Sequence, residues 1–368
     1  MKKICVSQPS LTKKQIEAVV AVLESGQLVE GPVVARLEKS LADYCEAKGV
    51  VAMNSGTAAL HGALYAADIK PGDEVITTPF SFVATANPIL FMGAKVVFAD
   101  INPLDYNLDP KAVEKKITKK TKAIIGVDLY GQPINYKKLR FDQSITLIED
   151  ACQAIGSSLK GKKAGTLADI GAFSFYATKN IMCGEGGALV TNNPEFDLRA
   201  RRFRNHGQDV SKRYQYADLG YNYRLTDILA AILLPQINEI DKITAARQIR
   251  AQRYQKNLGQ LTSIGLPVVN RDTTHCFHQF TITLQDYFPV SREKLISILN
   301  ERNIFPGTYY PTPLHLQPQF KNFGYHPGDF PVTERLSKSV LSLPVHPKIT
   351  LAEIDYVSEV LLEVAKIK

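Results

Sequence analysis

The chain has 368 residues, 45% of them hydrophobic and 22% charged, with a formal net charge of +8. That is length and apolar content enough for one large domain with a smaller companion, and a charge that favours anionic partners without choosing among nucleic acid, a membrane surface and a phosphate-bearing small molecule. Five cysteines with no Cys-x-x-Cys argue against a disulfide framework or a zinc site, the apolar run Ile228 to Leu234 is too short to span a bilayer, and the basic start at Met1 to Lys3 leads into no signal segment, so a cytoplasmic protein is expected.

In chain order, Ile16, Val19, Val20 and Leu23 share one face of a predicted helix closed by Gly26, and Val34, Leu37, Leu41 and Tyr44 mark a second helix. Short β-branched runs then alternate with helical stretches. The runs are Val50–Met53, Glu74–Thr78, Lys95–Ala99, Ala123–Asp128 and Ile145–Glu149. The helical stretches are Ala58–Ala67, Ser81–Met92 and Pro110–Ile117, the last behind an Asp109 N-cap. Two further strands are predicted over Ala172–Phe175 and Ala188–Thr191, and the basic run Arg199–Arg204 reads as a solvated helix face. Such alternation predicts an α/β fold with a mainly parallel sheet covered on both faces, whose ligands sit at the carboxyl ends of the strands. The pattern fades near residue 235, where a charged helix over 237–258 leads into a proline-rich α+β unit. This divides the chain into a large domain, 1–245, and a small C-terminal domain, 246–368.

Three segments carry chemistry. Asn54–Leu60 follows an apolar strand and opens a helix, where Gly56 lets the backbone approach an anion and Thr57 adds a hydroxyl. Asp150, at a strand's carboxyl end, is suited to pair with a ligand cation such as a protonated pyridine nitrogen. Lys179 lies between two buried strands beside Gly184–Gly187, where a lysine can lose its proton and form a Schiff base with an aldehyde. A phosphate cradle, an acid and a lysine in this order are what the carbanion chemistry of pyridoxal 5′-phosphate (PLP) requires.

Over nearly its whole length the chain resembles the fold-type I sugar aminotransferases of the DegT–StrS type. The resemblance rests on Ser25-Gly26, Gly31-Pro32, Asn54–Leu60, Thr78–Thr85, Glu149–Ala151, Gln153-Ala154 and Phe173–Phe175. It continues through Lys179-Asn180, Gly184–Gly187, His206-Gly207, Gly220–Arg224, Pro313–Pro318 and Leu341–Pro344. It implies a fold-type I PLP transferase and assigns roles one by one. Lys179 is the cofactor-bearing lysine and proton shuttle, Asp150 the partner of the pyridinium nitrogen, Phe82 a stacking ring, and Gln153 a neighbour of the 3-oxygen. Gly56, Thr57 and Ser174 bind the phosphate, and Asn222 reaches the phosphate in the neighbouring subunit of a homodimer. Tyr310, His315 and Arg224 are the implied substrate contacts. The implied substrates are glutamate and a nucleotide-diphosphate keto-sugar, and Asn222–Asp227 resembles members that aminate carbon 4 more than carbon 3.

Met182 and Cys183 replace small hydroxyl residues usual in the family, Asn135–Ser144 is short, and Pro235 interrupts a helix. A PLP sugar dehydratase of the same fold is the first alternative, but those relatives carry histidine where Lys179 stands. A regulatory or nucleic-acid-binding protein is the second; no helix-turn-helix signature, zinc spacing or basic–aromatic interleaving supports it. No metal, nucleic acid or membrane partner is expected.

Overall fold

A computed structural model describes residues 3–209 and 211–367. Met1 and Lys2, part of the basic start, and Lys368, the last residue of the expected small domain, lie outside the described residues. The chain opens with β1 (Ile4–Cys5), α1 (Lys13–Ser25), α2 (Pro32–Cys45), β2 (Gly49–Met53), α3 (Gly56–Ala66) and β3 (Glu74–Thr77). It continues through α4 (Asn87–Phe91), β4 (Lys95–Phe98), α5 (Pro110–Glu114), β5 (Thr121–Val127), β6 (Thr146–Asp150), a hairpin of β7 (Ser158–Leu159) and β8 (Lys162–Lys163), β9 (Ile170–Ser174) and β10 (Gly187–Thr191). There follow α6 (Pro194–Arg204), α7 (Asp227–Leu233), α8 (Ile240–Leu258), β11 (Ile264–Gly265), β12 (Thr273–Thr274) and β13 (Phe280–Leu284). The last elements are α9 (Arg292–Glu301), β14 (Ile304–Phe305), α10 (Pro331–Ser339), β15 (Val340–Leu343) and α11 (Leu351–Val364).

The central sheet has seven strands in the order β2-β10-β9-β6-β5-β3-β4. Strands β9, β6, β5, β3 and β4 run parallel, while β10 is antiparallel to both β2 and β9. Helices cover both faces, which is why strands such as β2 (Gly-Val-Val-Ala-Met) are buried throughout and read as unbroken apolar runs. One face packs against α3, with Ala59, Leu60, Ala63 and Leu64 in its core, and the other against α2 and α7 through Leu37, Leu41, Ala230 and Leu233. The start of α2 has no capping side chain of its own. Asp227, buried at the first position of α7, accepts instead from the N–H groups of Gly31, Val33 and Val34 at 3.0, 3.1 and 2.8 Å. A carboxylate there satisfies orphan donors and complements the helix dipole.

Beyond the sheet, β11-β13-β15 form a small antiparallel sheet. Its core joins Tyr254 and Leu258 of α8 to Phe280, Ile282, Leu341 and Leu361. Helix α8 enters two cores, since Ile240 packs with α2 and α7 and Ala251 packs with the small sheet. The chain start joins the C-terminal part, because β1 pairs in parallel with β14.

Several elements depart from the sequence expectation. The stretch Ser81–Met92 is not one helix but a 3-10 turn, Val83–Thr85, followed by the short α4. Pro88, without an N–H and restrictive toward Asn87, sits in the first turn of the second piece. The apolar face of α1 points outward, with Ile16 52%, Val20 45% and Leu23 52% exposed while Gln15 and Val22 are buried. The basic run on α6 is not solvated. Arg204, 5% exposed, binds Glu38 at 2.6 Å and Glu30 at 2.7 Å, and Arg201 binds Glu38 and Asp197 at 2.9 and 2.7 Å. No helix among the described residues is long and apolar enough to cross a membrane.

Candidate active site

At the carboxyl ends of β6 and β9, facing the start of α3, lies a cavity of about 520 Å³. Its wall includes Gly56, Thr57, Phe82, Asp150, Gln153, Ser174, Lys179 and Tyr310, eight positions singled out from the sequence. Asp150 is the last residue of β6 rather than the one past it, and is buried. Its Oδ2 accepts from the Thr85 hydroxyl at 2.7 Å and its Oδ1 from the Cys152 N–H at 3.2 Å. Ser81 lies 2.8 Å beyond Thr85 and extends this chain. Gln153 Oε1 accepts from Tyr130 N at 2.8 Å, which turns its Nε2 to donate to the Tyr310 hydroxyl at 3.2 Å.

Close approach explains two of the glycines. A Cβ on Gly56 would come within 2.8 Å of Ser174 Cβ, and one on Gly187 within 2.3 Å of the Ser55 carbonyl oxygen. The start of α3 is thereby pressed against the ends of β9 and β10. Ser55 caps α3 by accepting from Ala58 N at 3.0 Å, leaving the first-turn N–H groups, Thr57 and Ser174 grouped as a cradle for an anion.

Lys179 is held by the tight crossing from β9 to β10. Its N–H donates to the Tyr176 carbonyl at 2.8 Å, and Ala177 N and Cys183 N bond to Gly184 O and Phe175 O across the loop. Its Nζ makes no hydrogen bond or ion pair among the described residues, although it lies on the cavity wall. Burial pulls its pKa below the ordinary lysine value, while Cys152, Asp150 and Cys276 pull weakly the other way. An amine whose proton is held less tightly than usual, beside the buried Asp150, is suited to serve as nucleophile and proton carrier in one group.

Three of the residues named from the sequence are not on this wall. Asn222 is exposed, bridged through its backbone to Asn205. Arg224 donates to Asn205 Oδ1 at 2.6 Å and pairs through its backbone with Met53. His315 is buried beneath α10, 3.1 Å from Glu334 Oε1. Conversely, Thr85, Cys152, His278 and Tyr309 line the cavity without having been marked as site residues. Thr85 belongs to the quoted segment Thr78–Thr85. His278 comes from beyond residue 246 and no local pattern around it announces a ligand.

The donor set fits PLP: an acid for a pyridine nitrogen, an unpaired amine for an aldehyde, and a cradle of N–H and hydroxyl donors for a phosphate. Fold and site together define a fold-type I PLP-dependent transferase. The comparisons narrow this class: residues 9–362 match the DegT/DnrJ/EryC1/StrS aminotransferase family, to which the chain belongs. A UDP-2-acetamido-2-deoxy-3-oxo-D-glucuronate aminotransferase of Pseudomonas aeruginosa is 37% identical, covering 95% of this chain and 96% of its own. The structure of DesV from Streptomyces venezuelae superposes with a TM-score of 0.91 at 35% identity, covering 96% of this chain and 95% of that one. A sugar aminotransferase of Streptococcus pneumoniae in its PLP form gives a TM-score of 0.93 at 28% identity, covering 99% of both. The chain is accordingly a PLP-dependent sugar aminotransferase.

Proposed function

We propose that the protein transfers an amino group from glutamate to a keto carbon of a nucleotide-diphosphate sugar, in sites shared across a two-fold homodimer. The observation that carries this reading is the Lys179 amine, recessed and unpaired on the wall that also holds Asp150. When bound, PLP supplies an electron sink for negative charge at the carbon beside the transferred nitrogen. Asp150, fixed by Thr85, keeps the ring nitrogen protonated. Gln153 donates toward the ring oxygen, Phe82 covers the ring, and Gly56, Thr57 and Ser174 hold the phosphate. Lys179 Nζ would take the proton released at the α-carbon of glutamate, and in the second half of the cycle would supply a proton to the former keto carbon of the sugar, the bound cofactor keeping the balance between the two halves. Tyr310, whose hydroxyl accepts from Gln153, has its own proton free for the sugar substrate. Arg224 and His315 stand apart from the wall and support only an indirect part in sugar binding.

The net positive charge suits a diphosphate-bearing substrate. Carbon 4 is favoured over carbon 3 by the resemblance of Asn222–Asp227, whereas the Pseudomonas relative is named for a 3-oxo sugar. A panel of 3-keto and 4-keto sugar nucleotides with glutamate tests the reading. Formation of an amino sugar with release of 2-oxoglutarate is expected. A deoxy-sugar product without amine incorporation would establish the dehydratase alternative, and turnover of 3-keto substrates alone would overturn the carbon-4 preference.

The exposed apolar face of α1 and the surface position of Asn222 support the shared-site dimer. Co-refolded Lys179→Ala and Asn222→Ala subunits should regain partial activity, since one site of each heterodimer carries neither lesion. No recovery in proven heterodimers, or a fully active monomer by sedimentation, overturns it. The two apolar cores meeting within α8 support domains of residues 1–245 and 246–368, to which β1 adds a strand exchanged from the chain start.

A further inference from the structure

Strands β5 and β6 pair with Gly126 opposite Glu149 and Val127 opposite Asp150. Asp128 extends the ladder by donating its N–H to the Asp150 carbonyl at 3.1 Å. Side chains alternate along a strand, so Asp128 shares the sheet face of Glu149, while Asp150 leaves the other face for the cavity. Behind the site, therefore, two fully buried carboxyl groups meet, and they are hydrogen-bonded to each other. Two carboxylates have no proton to place between them, so one of the pair is an acid. The surrounding donors say which. Glu149 accepts on both oxygens, from Gly165 N at 2.6 Å and Leu167 N at 2.7 Å, the short contacts of a carboxylate. Asp128 accepts on Oδ1, from Ile134 N at 2.9 Å and the Tyr136 hydroxyl at 3.3 Å, while its buried Oδ2 receives no donor among the described residues. A proton on Oδ2, donated to Glu149, satisfies the atom that is otherwise bare.

Asp128 also opens a turn that builds one side of the cavity. Its carbonyl accepts from Gly131 N at 3.2 Å, and between them Tyr130 has a φ of 58°, a left-handed backbone that a bulky residue keeps only when its surroundings hold it. From there the Tyr130 N–H fixes Gln153, which donates to Tyr310, and the Tyr130 hydroxyl donates to the Tyr309 carbonyl. We propose that Asp128 is a positioning residue kept as a carboxylic acid: it donates to Glu149, accepts from Ile134 and Tyr136, and so holds the turn from which Tyr130 sets Gln153, Tyr309 and Tyr310 on the cavity wall. Its effect on turnover rests on the reading of Gln153 and Tyr310 as cofactor and sugar contacts; its protonation does not. Burial first, and then the charge of Glu149, hold the Asp128 carboxyl well above the ordinary aspartate range. The other titratable groups facing the pair are Tyr136 on the same turn, Cys45 of α2 with Lys163 of β8 acting on it, and Asp150 through the sheet.

The test compares the wild type with Asp128→Asn, whose amide can both donate to Glu149 and accept from Ile134 and Tyr136, and with Asp128→Ala, which can do neither. Infrared difference spectra of wild type against Asp128→Asn at about pH 8, where ordinary carboxyl groups are ionised, should contain the carbonyl stretch of a protonated carboxylic acid that the variant lacks. Asp128→Ala should lose about 10²-fold in kcat/KM for the keto-sugar, the scale of a misplaced wall, and should move the pH midpoint of the visible band of the lysine-bound cofactor. Asp128→Asn should recover most of both. An acid that keeps its proton in the fold costs stability as pH rises above the ordinary aspartate range, so Asp128→Asn should gain on wild type in melting temperature by about 2 °C for each pH unit above that range, until the acid ionises in the folded protein. A missing acid band, an asparagine variant as impaired as the alanine one, or a melting difference that does not grow with pH overturns the proposal, even if the alanine variant fails to fold. Failure of the underlying reading is separate, since it appears as wild-type activity and band in Gln153→Ala while the infrared and melting results stand.

Discussion

Among the cations that reach the interior of this protein, those of α6 and Lys179 are treated in opposite ways. Arg201 and Arg204 on α6 are matched by Glu38, Glu30 and Asp197, with further bonds to the carbonyls of Val50 and Ala52 at 2.9 and 2.8 Å. Lys179, some twenty residues earlier, has a cavity in place of a partner. Pairing makes the arginines structural, because a desolvated charge is tolerable only when its hydrogen bonds are met. Withholding a partner makes the lysine chemical, because burial then weighs on the protonated form with no ion pair to offset it and loosens the hold on the proton. The composition of the segment does not distinguish these outcomes; the neighbours do.

The largest effect that would sharpen this contrast is the loss of chemistry at Lys179. Lys179→Ala should lower transamination by about 10⁴-fold or more, as for other essential nucleophiles, and remove the visible absorption band of the lysine-bound cofactor while leaving the far-ultraviolet circular dichroism unchanged. An active variant with a normal band would erase the distinction. Arg204→Ala should do the reverse. It strands Glu30 half-buried and leaves Glu38 with Arg201 alone, and should cost about 3–5 kcal/mol of stability by denaturant titration, with kcat of the surviving folded protein close to wild type. A stable Arg204→Ala protein would show that the network carries little.

Asp150→Asn removes the anion proposed to keep the ring nitrogen protonated. A fall in kcat of about 10²-fold, with much less change in cofactor affinity, is expected from losing one preorganised electrostatic contact. Wild-type turnover would end the assignment. A smaller effect tests the burial of Lys179 itself. Its folded pKa is depressed, so the unfolded chain binds more protons below the ordinary lysine range, and the amine opposes folding there. Lys179→Met apoprotein should melt about 1–3 °C higher than wild-type apoprotein at neutral pH, and the difference should shrink as pH rises toward that range.

The smallest effect concerns Glu38. Burial raises its pKa, but Arg204 and Arg201 outweigh burial and hold the carboxyl below its ordinary value. Its contribution is therefore present above the pKa of the unfolded carboxylate and lost as pH falls through the folded one. Glu38→Gln should be less stable than wild type at neutral pH, and the gap should narrow in acid. A constant gap from neutral pH downward would mean that the ion pairs are not its source.

The sheet and the acid–lysine–cradle triad were legible because each rests on a short-range pattern. The β-branched runs at Val50–Met53 and Glu74–Thr78 match β2 and β3 to within a residue, and Asp150 and Lys179 sit beside strand ends that those patterns define. What was not legible depends on groups distant in sequence. Nothing near Arg204 names Glu38, 166 positions away, as its partner. Nothing near His278 names Asn180, 98 positions away. The exposed face of α1 looks like any core-facing helix because hydrophobic periodicity reports that an apolar stripe exists, not what it faces.

Asp227 has a consequence for how this chain could be remodelled. Its carboxylate clasps the first turn of α2, and a Cβ on Gly31 would come within 2.8 Å of Oδ2. The segment Asn222–Asp227 and the turn at Gly31-Pro32 are thus a matched pair, although nearly two hundred residues separate them. A chimera that imports Asn222–Thr226 from a relative but stops before Asp227 keeps the native clasp and changes only the exposed stretch. One that crosses this position inherits a foreign anchor for α2 and must bring the residues around Gly31 from the same parent. The helix at the beginning of the chain therefore sets the boundary at which its middle can be exchanged.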